Sequence, residues 1–296
     1  MCDTCGGHGN HGEHAAPSGP GRRIVVTGKG GVGKSTLTAM LARLFARDGR
    51  GVIAIDADEQ RNLGATLGVA DDVLANAVPV STAGDYIEEK VGARPGEGAG
   101  VMLRLNPDTS DVVDRLAIDG PDGVRLLIMG GVARAGGGCL CPENAVLAAT
   151  IAGMRLFEND VVVMDTHAGV EHFGRALARG FDSAVVVVEP TYNSVQVGVE
   201  TARLARELGI GGIHLVINRA RDDADRERVA RYLDRWGGFD FDSVHTVPYD
   251  EQVTECEPSV EAVLDGSPVA HAVGHLAEHL LTAEPVTAES VAVGVS

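Results

Sequence analysis

Three stretches of this sequence carry residue types at spacings that can do chemistry. The first is Gly28-Lys29-Gly30-Gly31-Val32-Gly33-Lys34-Ser35-Thr36, which satisfies G-x-x-x-x-G-K-[ST] from Gly28 to Ser35. Its glycines let successive backbone N–H groups converge on phosphate oxygens, Lys34 neutralises the terminal phosphates, and Ser35 offers a hydroxyl to Mg²⁺ at a helix N-terminus. The second is GGGCLCPEN, residues 136–144, in which Cys139 and Cys141 are one residue apart and Pro142 follows. Cysteines so close form no easy disulfide with each other, because the intervening residue gives poor Cβ geometry. Pro142 suits the first position of a helix, so Cys141 stands at the N-cap, where the positive helix end lowers a thiol pKa and favours the metal-binding thiolate. Two thiolates cover half of the tetrahedral shell a borderline-soft cation such as Ni²⁺ or Zn²⁺ prefers, and a second protomer would complete it. The third is the N-terminus, where Cys2, Cys5, His8, His11 and His14 fall at every third residue. That set of thiols and imidazoles suits Zn²⁺, Ni²⁺ or copper.

The elements that must position these residues follow from hydrophobic spacing. Residues 1–22 are Gly, His, Pro and polar residues without periodicity, and read as a disordered metal-binding tail. From residue 23 the pattern turns regular: RIVVTG is a strand, KSTLTAMLARLFARDG has helical spacing and ends at Gly49, and GVIAID is a second strand. Further apolar runs predict strands at 124–130, 160–165, 183–190, 212–218 and 243–248, mostly with helical patterns between them. Unbroken Val, Ile and Leu runs mark strands buried on both faces, so the expected fold is α/β, a mostly parallel β-sheet flanked by helices on both faces, in one domain over residues 23–282. The Gly/Pro/Asp-rich stretch 90–123 reads as a structured insertion, the segment after Pro268 as a final helix, and 283–296 as a flexible tail.

The bulk numbers narrow the partners. Acidic residues outnumber basic ones by 42 to 25, for a formal charge of -17, and no Lys/Arg block could track nucleic acid or an anionic bilayer. No apolar run reaches membrane-spanning length, and five cysteines in 296 residues is too small and odd a number for a secreted disulfide framework. Cytoplasmic location with reduced thiols is the expectation.

Lys29, the second lysine of the glycine loop, resembles the signature lysine of the MinD/ParA/nitrogenase-iron-protein class of P-loop ATPases with a deviant Walker A motif. That resemblance implies ATP as the nucleotide and a face-to-face homodimer in which Lys29 reaches the partner's phosphates. It implies that Asp58, in AIDADEQRNLG, orients the attacking water and that Asp56 is an outer-shell group for Mg²⁺. Asp165, in VVVMDTHAG, takes the place of the Walker B acid, and Gly169 that of a γ-phosphate sensor. Asn218 and the Pro248-Tyr249-Asp250 segment resemble the class's adenine-contacting elements.

A narrower resemblance rests on GARPGEG (92–98), LRLNP (103–107), GGGCLCPENAVL (136–147) and DTHAGVEHFGR (165–175), together with the glycine loop. These look like the CooC-type ATPases that help insert nickel into carbon monoxide dehydrogenase, and the match runs from about Arg23 to about His279. It implies a dimerising ATPase with a cysteine-bound metal at the interface and apo carbon monoxide dehydrogenase as client. One departure is His167, where the family pattern leads one to expect an acid. The N-terminal tail is similar to the nickel-binding N-terminus of hydrogenase nickel-insertion GTPases, which makes it a candidate nickel store. Two other classes remain: a MinD/ParA-like positioning ATPase, which needs a basic surface or helix, and an iron-sulfur reductase, which would purify brown. His271, His275 and His279 share one helical stripe that reads as a solvated face or a chelating one. Glu171 and His172 read as part of the switch that follows Asp165, and Cys256 as structural.

Overall fold

The run Arg22–Gly28 forms strand β1, and its side chains divide between two hydrophobic clusters. The computed structural model describes residues 21–94, 104, 107–130, 146, 147, 149–151, 154, 156–167 and 180–282. Ile24 and Val26 pack with Leu37, Met40, Leu41 and Phe45 of helix α1 (Lys34–Arg47), whereas Val25 joins Val195 and Val199 on the opposite side. The same split recurs on Asp160–Thr166, where Val161 and Val163 face one cluster and Val162 and Met164 the other. Two buried faces explain why these strands show no polar alternation.

Among the described residues eight strands form one sheet: β1, β2 (Gly51–Ala57), β3 (Ile118–Asp119), β4 (Arg125–Ile128), β5 (Asp160–Thr166), β6 (Ser183–Val188), β7 (Gly212–Ala220) and β8 (Ser243–Pro248). Their order is β3-β4-β2-β5-β1-β6-β7-β8, parallel except for the antiparallel β3–β4 pair. The expected α/β sheet with helices on both faces is therefore what the chain forms. The stretch 90–123 contributes the short helix Val112–Leu116 and the two-residue β3, which extends the sheet at its edge. After β1 the chain builds one half of the sheet, and after β6 the other, so the crevice at the carboxyl end of β1 is the switch point where such sheets place their ligands.

Helix α1 is fastened at its far end by Arg43, which is 1% exposed. Its guanidinium donates to Asp122, to Glu261 Oε2 at 2.5 Å and to the Leu67 carbonyl at 2.8 Å. The last described helix, Pro268–Thr282, packs beside α1, and Arg22 reaches its Leu281 carbonyl at 2.9 Å. On that helix His271 and His275 are exposed, while the ring of His279 sits 5.2 Å from that of His214 and 5.1 Å from that of His245. The stripe thus divides into a solvated part and a packed part. Burial pushes the His214 imidazole down to about 4, and Ser243 Oγ bridges its Nδ1 to the His245 ring. Among the described residues no group of three or more His, Cys, Asp or Glu side chains is placed to hold a metal ion, and no helix is long and apolar enough to cross a membrane.

Candidate functional site: a phosphate loop between two buried aspartates and a bulged strand

Gly28 ends β1 with φ 144°, so close to β6 that a β-carbon there would stand 2.2 Å from the Val187 carbonyl oxygen. The chain then turns through Gly31 (φ 81°) and Gly33 (φ 91°) into α1, whose first residues are Lys34, Ser35 and Thr36. Left-handed backbone at both positions is the physical reason for glycine. Lys34 is buried, and its ammonium donates to the Lys29 carbonyl at 3.2 Å. Burial lowers its pKa, opposed by the nearby charges of Asp165 and Asp58. Lys29 itself is exposed at the tip of the loop, beside Gly30.

Asp56 on β2 and Asp165 on β5 pair across the sheet in the same register, and both are fully buried. Burial raises each carboxyl to about 7. Asp165 Oδ2 accepts the Ser35 hydroxyl at 2.5 Å, while its Oδ1 is buried without a hydrogen-bond partner. A hydroxyl and an acidic oxygen side by side, with a second oxygen unsatisfied, fit a hard divalent cation that takes oxygen ligands. Ser35 and Asp165 would hold Mg²⁺, which supplies charge neutralisation to the phosphates when bound. Asp56, beside Asp165, also shapes the backbone: its two oxygens accept the backbone N–H groups of Asp58 and Leu63, each at 3.1 Å, and so tie both ends of the loop after β2. Asp58 is thereby held at the lip of a cavity of about 430 Å³ lined also by Gly30, Lys34, Ser35, His167 and Arg219. His167, the departure from the family pattern, thus faces the same space as Lys34 and Asp58.

On the other side of the loop a cleft is lined by Thr36, Met40, Asn218, Pro248, Tyr249 and Asp250. The residues expected to contact a base are brought together here, and Asn218 is also engaged locally: its amide donates to the Val32 carbonyl at 2.7 Å and its oxygen accepts the Arg219 N–H at 3.0 Å. Cys139, Cys141, Cys2, Cys5, His8, His11, His14, Gly169, Glu171 and His172 lie outside the described residues. Cys256 is a half-buried free thiol at the end of the short helix Glu251–Glu255.

Sequence reasoning missed Arg219, Gln60, Asn62 and the Glu257-Pro258 pair, all of which line the 430 Å³ cavity. Gln60 and Asn62 were within reach, because they follow the strand-end acids in AIDADEQRN. Arg219 carried only its position after Asn218. Glu257 and Pro258 had no local signal at all, since the fold alone brings them across from the far end of the chain.

Residues 24–261 match the family described as the CobQ/CobB/MinD/ParA nucleotide binding domain. The chain is 36% identical over 253 residues to the carbon monoxide dehydrogenase accessory protein CooC of Rhodospirillum rubrum, covering 86% of this chain and 93% of that protein. It is 34% identical to an uncharacterized ATP-binding protein of Methanocaldococcus jannaschii, covering 79% of this chain and 88% of the relative. Among solved structures, the MinD cell division protein of Aquifex aeolicus superposes with a TM-score of 0.60 at 20% identity, over 89% of this chain and 98% of that one. At that identity the superposition speaks for the fold alone. With the glycine loop, the strand-end acids and these similarities in place, the chain belongs to the CobQ/CobB/MinD/ParA nucleotide-binding family and is an ATPase of the CooC type.

Proposed function

We propose that this ATPase is a metallochaperone in carbon monoxide dehydrogenase maturation. ATP draws two copies together, Cys139 and Cys141 of each hold one Ni²⁺ between them, and hydrolysis loosens the pair so that the ion passes to the apo-enzyme. The observation that carries this reading is the likeness to CooC over 93% of that protein's length, in a chain that also has the Cys-x-Cys half-site. Two thiolates per chain leave a tetrahedral cation half-coordinated, and a second copy supplies the rest. Zn²⁺ satisfies the same donor set and is the competing ion.

In this reading the loop amides and Lys34 hold the phosphates, Ser35 and Asp165 hold Mg²⁺, and Asp58 aligns the attacking water from the cavity lip. Lys29 is exposed at the loop tip, where it can reach a second copy and add positive charge to the partner's phosphates. The tail over residues 1–22 serves as a nickel store through Cys2, Cys5, His8, His11 and His14, and reduced thiols suit the cytoplasm. A positioning role is less well supported, because the last described helix, PVAHAVGHLAEHLLT, contains no Lys or Arg with which to grip a membrane or nucleic acid.

Metal analysis and light scattering of the wild type and of Cys139→Ser/Cys141→Ser, each with and without a non-hydrolysable ATP analogue, test the proposal. The expected result is one ion per two wild-type chains in the nucleotide-bound dimer, and neither interfacial ion nor metal-stabilised dimer in the variant. One ion per two chains retained by the double variant would refute the site, and loss of metal with no change in oligomer would refute the coupling.

A further inference from the structure

We infer that Arg219 is a positioning residue of the phosphate loop: from the end of β7 its guanidinium fixes the Gly31 carbonyl and, with Asn218, aims the loop's N–H groups. The inference rests on the reading that this loop binds ATP.

The backbone gives the first sign. The β7–β8 ladder is irregular between Ile217 and Ala220, so Asn218 and Arg219 leave the strand pairing at the point where β7 passes the loop. Bulges of this kind re-aim side chains beside active sites. Arg219 has φ 56°, one of three non-glycine residues with positive φ among those described, and its N–H is satisfied by Asn218 Oδ1. A residue with a β-carbon held in that region reports that its surroundings require it there.

The side chains give the second. Asn218 Nδ2 donates to the Val32 carbonyl at 2.7 Å and Arg219 Nη1 to the Gly31 carbonyl at 3.1 Å, so two consecutive peptide units are gripped by two consecutive residues. In a planar trans peptide the C=O and the following N–H point in opposite directions. Carbonyls 31 and 32 turned toward Asn218 and Arg219 therefore turn the N–H groups of Val32 and Gly33 the opposite way, so these two contacts set how the loop whose Gly31, Gly33, Lys34 and Ser35 line the cavity presents its donors. Arg219 is anchored in turn by Glu189 Oε1 at 2.7 Å, beyond the end of β6, so the loop is braced from two strands.

Nucleotide binding measured with fluorescent ATP and ADP on the full chain tests this, with Lys34→Ala as the reference for a lost phosphate site. Arg219→Ala and Arg219→Gly are each expected to weaken both nucleotides about tenfold, the loss that removal of one charged hydrogen-bond donor produces. KM for ATP should rise by the same factor while kcat changes little, and Arg219→Lys should recover part of the loss. Arg219→Gly should melt above Arg219→Ala, because glycine relaxes the left-handed backbone without restoring the guanidinium. Glu189→Gln, which leaves Arg219 in place, should weaken both nucleotides about threefold and covers the case in which the alanine variant does not fold. Wild-type affinity in either the alanine or the glycine variant would overturn the inference. So would weakened ATP with unchanged ADP, which would place the guanidinium on the terminal phosphate. If Lys34→Ala binds as the wild type does, the phosphate-loop reading itself fails, and that outcome is separate from these.

Discussion

Replacing Asp165 with asparagine is expected to make the nucleotide-free protein harder to unfold at pH 8 while removing its Mg²⁺-dependent hydrolysis. Burial raises the Asp165 carboxyl to about 7 from an ordinary 3.8, with Ser35 opposing and the charge of Asp56 adding to the rise. A folded pKa above the unfolded one means that the folded state holds the extra proton. Stability is therefore fully present below about pH 4 and is lost as pH rises through about 7. The gap of roughly three pH units corresponds to about 4 kcal/mol of destabilisation at pH 8. Asparagine keeps an oxygen for the Ser35 hydroxyl, but it puts an amide where Oδ1 has no partner and removes a charge that attracts Lys34. Those losses cut the gain to about 2 kcal/mol. In a domain of this size that raises the unfolding midpoint by about 4–6 °C. At pH 5 the wild-type carboxyl keeps its proton, so the advantage should close or invert. Calorimetric melts in EDTA at pH 8 and pH 5, with ATP turnover in Mg²⁺ alongside, measure all of this. A variant that melts below wild type at pH 8, or one that differs equally at both pH values, refutes the reasoning.

Two further outcomes follow from the same structure. Lys29→Ala should bind ATP as the wild type does, because its side chain is exposed at the loop tip, yet turn it over at least 100-fold more slowly if the lysine acts across a dimer; normal turnover by a monomeric variant in a steady-state assay would remove that role. Arg43→Met should cost about 2 kcal/mol in urea unfolding, since it leaves the Leu67 carbonyl without its donor and Asp122 with Arg47 alone, and a loss below about 0.5 kcal/mol would mean that the pairing adds little.

How far the sequence could be read depended on whether the needed information was local. Valine-rich runs such as DVVVMD and SAVVVV announce strands buried on both faces, and β5 and β6 have that burial. The glycine loop was legible because phosphate binding requires glycines at set intervals between a strand and a helix, and Gly31 and Gly33 take the left-handed backbone that makes them necessary. β3 was not legible: two residues, Ile118 and Asp119, carry no period, and only the edge of β4 makes them a strand. Nor was the side-by-side placement of Asp56 and Asp165, which depends on β5 inserting between β2 and β1. Arg219 was hidden for a related reason, since a bulge in β7 leaves no mark in an apolar run that ends in Asn.

The twin tether on Asp56 bears on how this enzyme's relatives can differ. One carboxylate grips both Asp58 and Leu63, so the ends of the intervening segment are set by a single rigid strand terminus and not by the segment's own length. Residues 59–61 can then lengthen, shorten or change character at little entropic cost while Asp58 stays where it is. Variation in that short arc, whose Gln60 lines the cavity, changes the cavity wall without moving the strand end that holds Asp58.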